Sequence, residues 1–139
     1  MEKCIFCEIA AGRMPASIVY EDNMTIAFMD AFPASRGHVL IIPRRHFETL
    51  NDMDETTGCH LFQVAMRVEQ AIRNTEELAC AGTNLLMNNG AAAGQEIRHA
   101  HLHIIPRYAE DKLRLSFGHP ERGGQEALDA LADAIEAAL

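Results

Sequence analysis

The chain has 139 residues, the length of one domain able to bury a core without disulfides. Its composition, 48% hydrophobic and 23% charged, is that of a globular protein and sets aside disordered and membrane-embedded classes. The formal net charge of −8 argues against broad binding to nucleic acid, which draws its affinity from Lys and Arg meeting phosphates, although a single nucleotide can still be held by local groups.

The N-terminal stretch MEKCIFCEIAAG shows no basic segment leading into a long apolar one. No run approaches the ~20 residues needed to cross a bilayer, so a cytoplasmic protein with no membrane partner is expected. Cys4 and Cys7 form a C-x-x-C pair, which in a reducing compartment reads as a metal clip or a redox pair rather than a structural disulfide. A redox motif of the thioredoxin kind should follow a strand and open a long helix, whereas this pair starts the chain. Two inert buried thiols are the remaining alternative. Ile5, Phe6 and Ile9 have the spacing of a short helix ended near Gly12 and Pro15.

Residues 17–21 (SIVYE) and 25–30 (TIAFMD) are β-rich runs around the turn pair Asp22-Asn23, which predicts an antiparallel hairpin. Asp30 ends the second run. There it either caps the turn before Phe32-Pro33 or accepts hydrogen bonds from a vicinal diol such as that of ribose. The run 37–43 (GHVLIIP) reads as a central strand, and His38 within it needs a hydrogen-bond partner, as any buried histidine does. From Asp54, a potential N-cap, Leu61, Val64, Ala65, Val68, Ala71 and Ile72 recur at helical spacing and define one long helix. Residues 83–88 form a further strand. A polar, Gly-rich stretch follows Tyr108, with Gly118, Pro120, Gly123 and Gly124 opposing regular structure, and residues 125–139 close the chain with a helix carrying Leu128, Leu131, Ala132 and Ile135 on one face. No repeat or linker divides residues 1–139, so a single α+β domain is expected: an antiparallel five-stranded sheet, one long helix and shorter terminal helices.

The chemistry concentrates in residues 88–107, NNGAAAGQEIRHAHLHIIPR. In an extended chain His99, His101 and His103 share one face at ~7 Å intervals, while Ala100, Leu102 and Ile104 face the other way. Gly90 and Gly94 bracket an alanine loop whose small side chains would let backbone N–H groups reach a phosphate. An isolated histidine on a strand is usually an ordinary core or surface residue. Three at period two, behind a glycine loop and ahead of Pro106, form a chemical face.

The run H-x-H-x-H, preceded by N-x-G-x-x-x-G-Q, resembles the histidine triad (HIT) family of nucleotide hydrolases and transferases, and the resemblance covers residues 4 to about 108. It implies a HIT-like fold and a homodimer whose sheets continue across the interface. It also implies one structural zinc per chain, because some members hold zinc with the cysteine pair, a later His and the first triad His; here these are Cys4, Cys7, His46 and His99, a closed Cys₂His₂ set. By the same resemblance Asp30 holds ribose, His38 supports the nucleophilic histidine, and Phe6, Ile9, Phe28 and Leu40 form the apolar base pocket.

The expected mechanism has neutral His101 attack an α-phosphorus to give a covalent nucleotidyl intermediate, which water then hydrolyses. His103, Asn88, Gly94 and Gln95 are the expected phosphate holders. The substrates implied are nucleoside phosphoramidates or dinucleoside polyphosphates, with adenosine as the purine. Nucleotidyl transfer to another acceptor, or a non-catalytic nucleotide-sensing, zinc-stabilised module, are the alternatives. Where many family members carry a small hydroxyl residue, this chain has Glu96. Alternation places it beside Arg98, and a solvent-facing ion pair between the two is expected.

Overall fold

A computed structural model describes residues 3–116, 118 and 121–139. Helix α1 (Ile5–Ala10) is followed by strands β1 (Ile18–Glu21), β2 (Thr25–Met29) and β3 (Val39–Pro43), then helix α2 (Glu55–Arg73). Strand β4 (Gly82–Leu86), strand β5 (Leu102–Arg107) and helix α3 (Gln125–Ala137) complete the order. One five-stranded sheet results, in the order β1-β2-β3-β5-β4, with every neighbouring pair antiparallel. The expected α+β architecture is observed. Residues 117, 119 and 120 of the expected irregular stretch lie outside the described residues.

Local chemistry accounts for the element ends. Asp22 Oδ1 accepts from the Met24 and Thr25 N–H groups at 2.8 Å each, closing the β1–β2 turn. The Asp54 side chain accepts from Thr57 N at 3.0 Å and caps α2, while Arg73 sits in the last turn, where a cation suits the helix dipole.

The centre of the sheet is buried on both faces, which explains the near-continuous apolar run of β3. Ala27, Val39, Ile41, Leu102 and Ile104 face α2 and meet Leu61, Val64, Ala65, Val68 and Ile72. Ile26, Phe28, Leu40 and Ile42 face the other way and meet Phe6 and Ile9 of α1. Alternation along β5 then sends Leu102 and Ile104 into the α2 layer and His103 to the α1 side, opposite Leu40. Emptying the α2 layer at fully buried Ile41 by an Ala substitution would cost about 2–5 kcal/mol.

Helix α3 forms where its periodicity predicts, yet none of its residues is buried. Leu128, Leu131 and Ile135 of its apolar face are all exposed.

Candidate active site and metal centre

The β5 ladder begins at Leu102, so the first two triad histidines precede the strand and are positioned by other bonds. Ala100 N–H donates to Phe47 O at 2.7 Å, anchoring the backbone between them. His101 Nδ1 lies 2.7 Å from His99 O, and a carbonyl can only accept. Nδ1 therefore carries a proton, and in the neutral imidazole Nε2 is the nitrogen that keeps its lone pair. The ring is buried under Phe6, edge to face at 5.2 Å, and lines a cavity of about 840 Å³.

A second chain of bonds fixes His103. Ala34 N–H donates to His38 Nδ1 at 3.0 Å, which leaves the His38 proton on Nε2; that atom is 2.9 Å from His103 Nδ1. His103 thus accepts at Nδ1 and presents Nε2–H as a donor. Both rings must be neutral for this, and burial supplies the reason. It pushes His103 down to about 4, assisted by the like charges His101 and His38 would carry, and it lowers His38 against the opposing pull of Asp30. The expectation that His38 supports His101 is corrected: its ring partner is His103, since register sets His103 beside Leu40 on the adjacent strand. Asp30, His38 and His103 also approach closely enough to hold a cation, but His38 Nδ1 already accepts a backbone N–H and its Nε2 keeps the proton, so the cluster is a hydrogen-bond relay.

Phe6, Ile9, Phe28 and Leu40 all line the cavity, as do Asp30, Asn88, Gly94 and His103. Asp30 serves in one of its expected capacities, closing the turn: Oδ1 accepts from Phe32 N at 2.9 Å, while Oδ2 lies 3.6 Å from His38 Nε2. Gly90 and Gly94 have φ of 90° and 87°, conformations a Cβ resists, and enclose the turn Ala91–Ala93.

Two expectations fail here. Gln95 does not line the cavity: Oε1 accepts from Gly90 N at 2.7 Å, and Nε2 donates to Glu48 O at 2.7 Å and Ile97 O at 3.0 Å, so its polar atoms are spent on holding the loop. Nor does Glu96 pair with Arg98. Arg98 approaches Glu48 at 3.9 Å instead, because the strand that would align the two starts only at Leu102, and Glu96 lines the cavity. Met14, Phe32 and Ile97 line it as well and went unnoticed in the sequence, where nothing separates them from other loop or core residues.

The four proposed metal ligands converge. Cys4 caps α1 and Cys7 lies one turn on, with Sγ of Cys4 3.3 Å from His99 Nδ1 and Sγ of Cys7 3.5 Å from the same atom and 3.4 Å from His46 Nδ1. Tetrahedral zinc with its usual Zn–S and Zn–N lengths separates ligand atoms by about 3.5 Å, so the spacing fits. The chemistry fits too. His99 Nε2 lies 2.8 Å from Pro43 O and must be its protonated nitrogen, leaving Nδ1 free to coordinate. Burial and the neighbouring Cys4 push the Cys7 thiol up to about 11, a cost a cation would relieve.

The HIT domain family model matches residues 11–110. This chain belongs to the HIT family. Among HIT relatives it is 41% identical over 110 residues to the adenylylsulfatase HINT3 of Arabidopsis thaliana, covering 79% of this chain and 55% of that one. A HIT family member from Bacillus subtilis superposes with a TM-score of 0.90 at 36% identity, covering 99% of this chain and 98% of its own. A zinc-bound HIT protein of Mycobacterium smegmatis gives a TM-score of 0.77 at 35% identity, covering 98% and 97%. The HIT fold expected from the sequence is thus the fold observed.

Proposed function

We propose that this HIT protein is a nucleotide hydrolase that cleaves nucleoside phosphoramidates or dinucleoside polyphosphates, adenosine being the purine, at the α-phosphorus. The observation that carries the reading is the 2.7 Å bond from His101 Nδ1 to His99 O, which assigns the lone pair of the neutral ring to Nε2, on a residue that lines the same cavity as Asp30 and Asn88. His101 attacks phosphorus, the leaving group departs, and the imidazolium that forms is stabilised by the same carbonyl. His103 Nε2–H donates to a phosphate oxygen in the intermediate, and water releases the mononucleotide. Asp30 takes the ribose hydroxyls, and the apolar wall of Phe6, Ile9, Phe28 and Leu40 takes the base.

One structural zinc per chain belongs to the same reading, held by Cys4, Cys7, His46 and His99 and supplying rigidity rather than chemistry; the zinc-bound relative supports it. So does a homodimer. Phe62 and Met66 stand exposed one turn apart on α2, β4 is a sheet edge, and the apolar face of α3 touches no core of its own chain. A cytoplasmic setting suits the reduced cysteine pair. Among the described residues no helix is long and apolar enough to cross a membrane.

The test is turnover of a panel of adenosine phosphoramidate, diadenosine polyphosphates and nucleotide sugars by the purified protein, with acid-quenched capture of the phosphorus–nitrogen adduct. Adduct on His101 supports the hydrolase reading. Turnover without it removes the covalent route.

A further inference from the structure

The cavity is unusual for one that binds phosphate. Its acidic lining residues are Asp30 and Glu96, and among the described residues no Lys or Arg lines it. Its polar atoms otherwise come from uncharged groups such as Asn88 and Ser17, and from the rings of His101 and His103. Burial removes the positive charge His103 could have offered near neutral pH. A single α-phosphate carries its own charge and is served by the donors around His101. Every further phosphate adds negative charge in a cavity with two carboxylates and no fixed cation to answer it.

The two carboxylates differ in position. Asp30 is fixed at the end of β2 by Phe32 N–H and turned toward His38. Glu96 follows the Gly94 turn, in the segment that leads directly into His99 and His101. The backbone on either side of it is pinned, at Gln95 by its N–H donating to Gly90 O and at Ile97 by its carbonyl accepting from Gln95 Nε2. The cation that could have neutralised it, Arg98, approaches Glu48 instead.

We propose that Glu96 is a specificity-determining residue that selects substrates by the charge of the leaving group: it favours nucleoside 5′-phosphates linked to an amine, most of all one bearing a further cationic group, and disfavours polyphosphate leaving groups. This rests on the hydrolase reading for its rate predictions but not for its binding predictions. For an amine leaving group the P–N bond breaks as the His101–phosphorus bond forms, the bonding pair stays on nitrogen, and the departing amine takes a proton from water. Glu96 contributes a field and takes no proton. Because Glu96 is exposed to solvent, its influence is screened by salt.

The experiment uses the whole 139-residue chain, purified with zinc supplied, and the variants E96Q and E96K. Both are substitutions of an exposed side chain and leave Gln95 and the loop intact. Binding is read first, by calorimetry with AMP, ADP and ATP in magnesium-free buffer. In the wild type affinity should fall from AMP to ATP; E96Q should flatten that ladder and E96K should reverse it, with the differences shrinking at high salt. Rates are read second, as kcat/KM for diadenosine triphosphate and for two adenosine phosphoramidates, one of a neutral amine and one of a diamine with a free ammonium. The ratio of diamine to triphosphate turnover should drop by at least tenfold from wild type to E96K, equivalent to about 1.4 kcal/mol of differential transition-state stabilisation. Unchanged ladders and ratios in both variants would overturn the proposal. A protein that turns over none of the substrates while its binding ladder responds to Glu96 would overturn the hydrolase reading and leave the charge selection standing.

Discussion

His99 and His101 are joined by a single bond, 2.7 Å from the carbonyl of the first to the ring of the second, and the ring of the first faces Cys4 and Cys7. One residue thus reaches the candidate metal cluster with its side chain and the proposed nucleophile with its backbone. Replacing His101 with Ala removes the nucleophile but leaves Asp30, Asn88 and the base pocket in place. Turnover should fall by at least about a thousandfold while AMP affinity changes little. Near-normal turnover would sink the covalent mechanism.

The proposed zinc would have a mechanical consequence for the cavity. Helix α1 is only one and a half turns long, too short to be stable alone, and it carries Cys7 together with the pocket residues Phe6 and Ile9. Zinc should staple this helix to His46 and His99. We expect one equivalent of zinc per chain, and expect C4S/C7S to lose the metal, melt at a lower temperature and bind AMP more weakly. Elemental analysis and a thermal melt decide it: metal-free native protein whose melting ignores chelators defeats the prediction.

How much of this was legible in the sequence depended on whether a residue's role lies in local pattern or in long-range contact. The middle of the sheet could be read because β3 is apolar on both faces between Gly37 and Pro43, and β2 follows the turn pair at Asp22. The family pattern singled out His101, His103, Phe6, Ile9, Phe28 and Leu40, which line one cavity, and Cys4 and Cys7, which meet His46 and His99. The ring partner of His38 depends on strand register, which sets His103 rather than His101 opposite Leu40. Alternation would set Glu96 beside Arg98, but the β5 ladder that would impose it begins only at Leu102. Gln95 looked like a phosphate holder because sequence cannot show that its amide is already saturated by residues 48, 90 and 97.

Burial of His103 sets a direction for pH dependence. Its folded pKa of about 4 lies below the ordinary value of 6.5, so between them the unfolded chain binds more protons than the folded one. The contribution is complete above about pH 6.5 and is lost progressively as pH falls toward 4. Burial lowers His38 in the same direction. Chemical denaturation at intervals between pH 7 and 4 should show wild type losing more stability than H103Q. A wild-type-minus-variant difference that stays flat across this range would mean that the ring is solvated.

The last prediction concerns Gln95, where two roles make opposite demands. If it held phosphate, removing its side chain would raise KM and leave the melting temperature alone. The observed bonds predict otherwise. Its amide joins Gly90 on the loop, Ile97 on the entry to the histidine segment and Glu48 from a distant stretch, and so fixes the turn that carries Gly94 into the cavity. Gln95→Ala leaves one N–H and two carbonyls to find other partners, and water can reach part of this region, so a loss of about 1–3 kcal/mol of stability is expected along with weaker substrate binding. Gln95→Glu is the sharper test. A carboxylate can still accept from Gly90 N–H, but it has no protons for the Glu48 and Ile97 carbonyls and places negative charge against both oxygens. It should therefore destabilise the protein at least as much as Ala despite its nearly identical shape, and part of that loss should be recovered at low pH, where the carboxyl regains a proton to donate. Thermal melts and KM for an adenosine phosphoramidate across the three proteins separate the alternatives: a raised KM at unchanged melting temperature in both variants would return Gln95 to the phosphate.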